Sequence, residues 1–445
     1  MATYFVASGG SNTAPYDTWA KAATSLATAL GAATTSGDVV VIQYNAVPTT
    51  DAEVSADTTY NIYGIAIVSA SNDGGSAYTP TAMGTSYWIG NSTTNRTINF
   101  NFGSIRSKCY FYGLTLRTAG STNDIISINS GSGANGPSLF QDCYFWNGNS
   151  NSSSTIRVQG ANGEFRFLGC TFRFGSTSQS FDLNGTVELI GCSLSASGST
   201  PTNLLSAAAS AGQQQIRFIG CDLSLVTNTL VPSITGAIAR VLFERCKLGS
   251  GVVVLAAQTN MLGLSEVWVL DCHTGDTHMV FGYYNGLGSL TKDTGIYYTT
   301  TGASWKIVTT SYCGRFAPFV TPWIDWYHDG TSSITPYFEV LRDGSSTAYK
   351  DHELWAEFTA KVTSGVTTAS QYQDRASAAN YLTSGGSDQA TGAGAGSWTG
   401  EGGALWSGKI DSGSSFTPAE VGYIRGRIQF AVASETVYID PVIRT

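Results

Sequence analysis

The stretch that decides the fold reads Phe165-Arg166-Phe167-Leu168-Gly169-Cys170-Thr171-Phe172, and its core phrase returns along the chain. Other copies are Phe140-Gln141-Asp142-Cys143-Tyr144-Phe145, Leu189-Ile190-Gly191-Cys192-Ser193-Leu194, Phe218-Ile219-Gly220-Cys221-Asp222-Leu223 and Phe243-Glu244-Arg245-Cys246-Lys247-Leu248. Val269-Leu270-Asp271-Cys272-His273-Thr274 is a worn last copy, and Phe111-Tyr112-Gly113-Leu114-Thr115-Leu116 is an early one with Leu in the Cys slot. The slots Leu114, Cys143, Cys170, Cys192, Cys221, Cys246 and Cys272 are separated by 29, 27, 22, 29, 25 and 26 residues. A period in this range marks a stacked-repeat architecture.

Each copy alternates apolar and polar residues on both sides of one small or turn-forming residue. That is the pattern of two short strands joined by a tight bend. Gly, and next best Asp, tolerates the backbone such a bend requires. One copy cannot bury its own inward face, but copies stacked at roughly 4.8 Å can. The phrase resembles the rungs of the pectate-lyase-like superfamily, and the resemblance implies an all-β fold whose body is a right-handed parallel β-helix. Ile62-Tyr63-Gly64-Ile65-Ala66-Ile67 fits the same mould 49 residues before slot 114. Eight or nine rungs are expected, a rod on the order of 40 Å.

Six of the eight Cys occupy the repeat slot, Cys109 lies five before slot 114, and Cys313 falls outside the pattern. A stacked file of buried thiols is expected, since free Cys behaves as a small buried hydrophobe. Vertical disulfides are the alternative; in-register Cβ vectors run parallel rather than toward each other, which disfavours them.

Charged residues make up only 12% of the 445 residues, and the net charge is −8. No basic stripe supports nucleic-acid binding. No apolar run is long enough to span a membrane, and no export signal precedes the first strand-like residues. No cofactor or metal is expected: Cys272, His273 and His278 fit no zinc spacing.

Three regions are expected. Residues 1–42 read as a strand–helix–strand cap, with Asp17 or Thr18 starting a helix through Trp19, Ala22, Ala23, Leu26, Ala29 and Leu30. Residues 43–290 form the β-helix. Residues 291–445 form an antiparallel β-sandwich, with strands over 296–300, 305–310, 336–341, 353–362, 423–433 and 437–443, and a long exposed loop over 384–407. Glu353-Leu354-Trp355-Ala356-Glu357-Phe358, Gly422-Tyr423-Ile424-Arg425-Gly426-Arg427 and Thr436-Val437-Tyr438-Ile439-Asp440-Pro441-Val442-Ile443 resemble a β-sandwich module at the C-termini of tailed-phage virion proteins that carry a β-helix. With the cap and the rungs, nearly the whole chain resembles a phage structural β-helix protein.

β-Helix enzymes act on polysaccharides with clustered carboxylates. Measured from the slot, no two adjacent rungs here place acids at the same offset; Asp182 with Glu188 is the one groove pair that remains. Trp323, Trp326 and Tyr327 form the densest aromatic cluster and are candidates for core packing, a subunit contact or a glycan contact. The expectation is a non-enzymatic virion protein on the capsid exterior, a decoration or cement protein or a head-associated fibre. The resemblance implies a homotrimer, with the major capsid protein as partner. The alternative is a tailspike-type receptor-binding protein or polysaccharide depolymerase, with a host surface glycan as partner. A cap that begins within the first residues and the unaligned acids favour the first.

Overall fold

The computed structural model describes residues 1–45, 58–62, 64–85, 87, 89–95, 98–101, 108–119, 126–129, 138–148, 155–159, 163–206, 213–233, 238–256, 266–274, 277–279, 283–284 and 289–293 of the chain's first 300. Beyond these it describes 304–308, 318–320, 324–327, 331–332, 337–343, 352–360, 399–402, 405–411, 421–430 and 436–440. The chain divides into two compact units, Met1–Gly249 with His273–Gly275, and Ser250–Cys272 with Asp276–Thr445.

The first unit is a parallel β-solenoid of three sheets. In the first sheet the residue three before the slot pairs from turn to turn: Phe111↔Phe140↔Phe167↔Leu189↔Phe218↔Phe243. In the second sheet, entered after the bend, Leu116↔Phe145↔Phe172↔Leu194 are in register. The third sheet has five strands, Thr58–Asn61, Ile98–Asn101, Ile126–Asn129, Thr155–Gln159 and Ser180–Leu183. Inside, identical registers stack identical rings. Phe111 lies 4.3 Å from Phe140 and Phe140 lies 5.1 Å from Phe167, all parallel, while Phe145 stacks on Phe172 at 5.0 Å. Edge-on contacts such as Phe140–Phe145 at 5.7 Å tie the two files together.

Among the described residues complete turns number about five, set by the five-stranded third sheet, fewer than the eight or nine expected. Beyond Ser180–Leu183 the third side thins to the parallel bridges Phe181↔Leu205 and Asn203↔Thr229, which lead to the short strand Thr229–Val231. The segment leading there holds Pro201, which has no N–H to donate to a ladder.

The N-terminal helix also differs from the sequence expectation. It spans only Leu26–Ala32, capped by Ser25, whose Oγ accepts from the Thr28 N–H at 3.1 Å. Asp17 and Thr18 start no helix, because backbone bonds to the first strand claim the preceding segment. Phe5 N–H donates to Tyr16 O, Ala7 N–H to Ala23 O and Ala23 N–H to Phe5 O. Trp19, Ala22 and Ala23 are buried all the same, Trp19 against the Phe5 ring at 4.6 Å. Burial of this apolar set is satisfied without a helix, so the periodicity misleads.

The second unit holds antiparallel strands. One series runs Val253–Leu255, Ser289–Asp293, Ser304–Val308, Thr436–Ile439, Tyr337–Asp343, Leu405–Asp411 and Thr399–Gly402. In another, Val421–Phe430 pairs with Pro318–Val320, Ile324–Tyr327 and His352–Ala360. Leu290, Trp305, Ile307, Tyr438 and Ile439 are buried there. The loop expected over 384–407 is interrupted by the strands Thr399–Gly402 and Leu405–Asp411, which the Gly and Ser content of the stretch obscures. The strand expected over 296–300 lies outside the described residues.

The bend before the slot is left-handed in every described copy. φ is +67° at Gly64, +66° at Gly113, +52° at Asp142, +63° at Gly169, +62° at Gly191, +61° at Gly220, +51° at Arg245 and +50° at Asp271. This corner keeps the backbone hydrogen-bonded while the chain changes sheets. The bend N–H donates to the turn ahead, as Gly113 does to Gln141 O and Gly191 to Ile219 O. The residue after the slot donates to the turn behind, as Thr171 does to Cys143 O.

All seven slot side chains are buried, as is Cys109. The seven described cysteines are free thiols; Cys313 lies outside the described residues. Each slot thiol in the first unit faces two carbonyl oxygens, one two residues earlier and one on the preceding turn. Cys170 Sγ is 3.6 Å from Leu168 O and 3.3 Å from Phe140 O, and Cys221 Sγ is 3.6 Å from Ile219 O and 3.2 Å from Leu189 O. The slot therefore uses the weak S–H donor as well as the small apolar volume. Burial raises the Cys170 thiol pKa, and the neighbouring thiol raises that of Cys192. Cys221 is pushed up to about 12, first by the Cys192 thiol and then by burial.

Two outcomes are expected. Gly191→Ala places a Cβ in open space at a left-handed φ, so it should cost only the conformational strain, about 1–2 kcal/mol. Gly113→Ala should cost more, because its Cβ would come 2.7 Å from the Ala82 Cα; denaturant midpoints compare the two. Three of the thiols set an alkaline limit. The folded pKa values of Cys170, Cys192 and Cys221 lie above the ordinary 9.0, so above that pH the unfolded chain binds fewer protons than the folded one. Stability should hold up to about pH 9 and decline toward about 12, with the decline reduced in Cys221→Ala, as followed by urea titration across that range.

Candidate functional site

The two carboxylates singled out by sequence are already engaged. Asp182 sits on the third sheet in register with Arg157, whose Nε donates to its Oδ2 at 2.7 Å. A groove acid would stand open to solvent, but Asp182 is only 2% exposed. Asp182 Oδ1 and Asn184 Oδ1 are buried in the same strand region, with no hydrogen-bond partner among the described residues. Glu188 lies on the first sheet between Arg166 and Arg217, in register with both. Its two oxygens take one guanidinium each, at 2.8 Å from Arg166 Nε and 2.7 Å from Arg217 Nη1. Asp182 and Glu188 thus belong to different sheets and different ion pairs.

Asp222, on the second sheet, is held by Ser224 and, at 3.4 Å, by Lys247 Nζ. Burial works to raise its carboxyl pKa, but the Ser224 hydrogen bonds and the Lys247 charge outweigh it and hold the group below the usual range. A general acid needs the opposite shift. No cluster of three metal-ligating side chains occurs among the described residues. No described helix is long and apolar enough to cross a membrane.

The outward face of the second sheet is built differently. Arg117, Trp146 and Arg173 each lie three residues after their slot and are in register. The Arg117 guanidinium lies 3.8 Å from the centre of the Trp146 ring system, and that of Arg173 lies 4.0 Å from it. Such contacts are worth about 0.5–1 kcal/mol each at exposed sites. Burial, and then the Arg173 charge, lowers the Arg117 pKa. Beside this stack, the Tyr144 hydroxyl donates to Ser195 Oγ at 3.1 Å, and Thr171 and Ser193 bring their hydroxyls within 3.4 Å.

Sequence reading passed over Arg117, Trp146 and Arg173. The signal was available: the ruler that tested the acids, applied three residues after the slot, aligns them. Trp323 lies outside the described residues, as do the side chains of Trp326 and Tyr327, although Ile324–Tyr327 is a strand.

No family model matches the chain. No curated protein matches it either. Among solved structures, the chain is similar to the enzymatically active domain of tailspike protein 4 of bacteriophage CBA120, with 11% identity and a TM-score of 0.26 over 91% of this chain and 60% of that one. The chain thus spans 60% of that structure's length, and a likeness this slight carries no argument.

If the carboxylates serve the fold, their loss should read out in stability. Arg157→Ala leaves the buried Asp182 uncompensated and should cost on the order of 3 kcal/mol. Glu188→Gln, in the exposed network of Arg166 and Arg217, should cost about 1 kcal/mol or less. Thermal melts of the two variants check the order.

Proposed function

We propose that this protein is a bacteriophage virion component of the tailspike kind, which grips a host-surface polysaccharide along its solenoid without cutting it. The observation that carries the reading is the contrast between the faces. The carboxylates that cleavage would draw on are held by Arg157, by Arg166 and Arg217, or by Lys247 and Ser224. The second-sheet face instead repeats hydroxyl, aromatic and guanidinium groups from turn to turn. Side chains in register at about 4.8 Å suit an extended polymer, which offers hydroxyls and apolar ring faces along its length.

The phage assignment rests on the resemblance of the C-terminal phrases to virion modules, and a C-terminal sandwich and a homotrimer belong to the same proposal. Capsid decoration leaned on where the β-helix begins, which says nothing about what the face of the solenoid binds, and on the unaligned acids, which suit a non-cutting tailspike equally. The purified chain, incubated with polysaccharides from candidate hosts, should retain one of them and release neither reducing ends nor unsaturated uronates. Gold-labelled antibody on intact particles should decorate tails. Labelling at regular points of the capsid lattice would return the protein to a decoration role, and polymer shortening would make it an enzyme.

A further inference from the structure

Resting on that glycan-binding reading, we infer that Tyr144 and Ser195 form a subsite for a neutral sugar, recognised through two adjacent hydroxyls. The pair is built across turns. Tyr144 is in register with Thr171, and Thr171 with Ser193, so Ser195 stands two turns from Tyr144 and two residues beyond Ser193. Turns stack at about 4.8 Å. To bring its hydroxyl 3.1 Å from Ser195 Oγ, the Tyr144 side chain must lie along the sheet, across the intervening turn. Ser195 is fixed from another side, since its Oγ also accepts from the Ser197 N–H at 3.3 Å. Both Tyr144 and Ser195 are half-buried, which holds the pair in place and leaves it open to solvent. Groups held before binding lower the ordering cost of binding.

The hydrogen bonds fix the polarity of the pair. A serine hydroxyl has one proton and two lone pairs. Both lone pairs of Ser195 Oγ take donors, from Tyr144 and Ser197, and among the described residues its own proton has no acceptor. The Tyr144 hydroxyl gives its proton to Ser195 and keeps lone-pair capacity. The face thus offers a donor next to an acceptor. Two neighbouring sugar hydroxyls answer both: one oxygen accepts from Ser195, and the other hydroxyl donates to Tyr144 Oη. Closing that ring lets each hydrogen bond polarise the next. A carboxylate or phosphate offers acceptors alone and would oppose the Tyr144 oxygen. A trans amide points its N–H and C=O to opposite sides and meets only one member of the pair.

The full-length chain is tested on an array of neutral and acidic bacterial capsular and O-antigen polysaccharides. Each polymer retained is compared with the same polymer after periodate cleavage of its vicinal diols and borohydride reduction. Binding should extend to neutral polymers, persist as salt rises and disappear after periodate. Tyr144→Phe and Ser195→Ala should each weaken it about tenfold. Ser195→Thr should weaken it less, and Arg217→Gln, on the first sheet, should leave it unchanged. Equal binding of the periodate-treated polymer, or parental affinity in a folded Tyr144→Phe chain, would overturn this subsite and leave glycan binding standing. If Tyr144→Phe does not fold, the periodate-treated polymer still decides. Retention of no polysaccharide would instead remove the glycan-binding reading and this subsite with it.

Discussion

The structure of the first unit depends on one backbone constraint, the left-handed residue before each slot. Between two parallel sheets the chain must change direction within a residue or so, or the inward alternation slips by one and every side chain exchanges faces. A single residue at φ between +50° and +67° does this. It turns the strand while leaving its own N–H aimed at a carbonyl of the turn ahead, so the change of sheet leaves no orphaned donor there. Gly meets the requirement without strain, Asp tolerates it, and Arg245 is held to it by a ladder already formed on both sides. The bend thereby fixes which residue is next, and the next residue always points in.

Given that corner, the interior follows as repetition. The slot thiol is small enough for the inside of the bend and can donate to a carbonyl of the turn behind. Phe at three before the slot then falls on Phe of the neighbouring turn, and parallel rings at 4.3 and 5.1 Å make a continuous apolar column. Leu189 interrupts that column, and the stack resumes with Phe218 on Phe243 at 5.2 Å. Register, not ring identity, is what the fold holds constant.

How far the sequence could be read follows from the same corner. The first two sheets flank it directly, so their residues keep fixed offsets from the slot. Arg166, Glu188 and Arg217 all stand four residues before their slots, and they form the ion-paired file the offsets imply. Across the variable loops the ruler fails. Arg157 and Asp182 are direct neighbours in the third sheet, yet they lie thirteen and ten residues before slots 170 and 192. Their pairing, and the burial of Asp182, were therefore out of reach. The overlong rung count has the same origin, since the slot reports the corner and not how much strand the turn places on its third side. In the N-terminal segment a true apolar periodicity gave the wrong element, because Ala23 could pair with the first strand and bury its neighbours that way.

The corner also separates what the fold must keep from what a binding face can vary. Positions at the bend and in the slot are strained or buried, and changes there carry the large stability costs. Three residues after the slot, the side chain faces out, and surface exchange commonly moves stability by only about 0.5 kcal/mol. Arg117, Trp146 and Arg173 occupy that tolerant file, with Ser195 at the same offset one turn on. Their guanidinium–indole contacts supply some stability, but Thr, Ser and Lys serve the neighbouring outward file, so the sheet does not require a cationic stack.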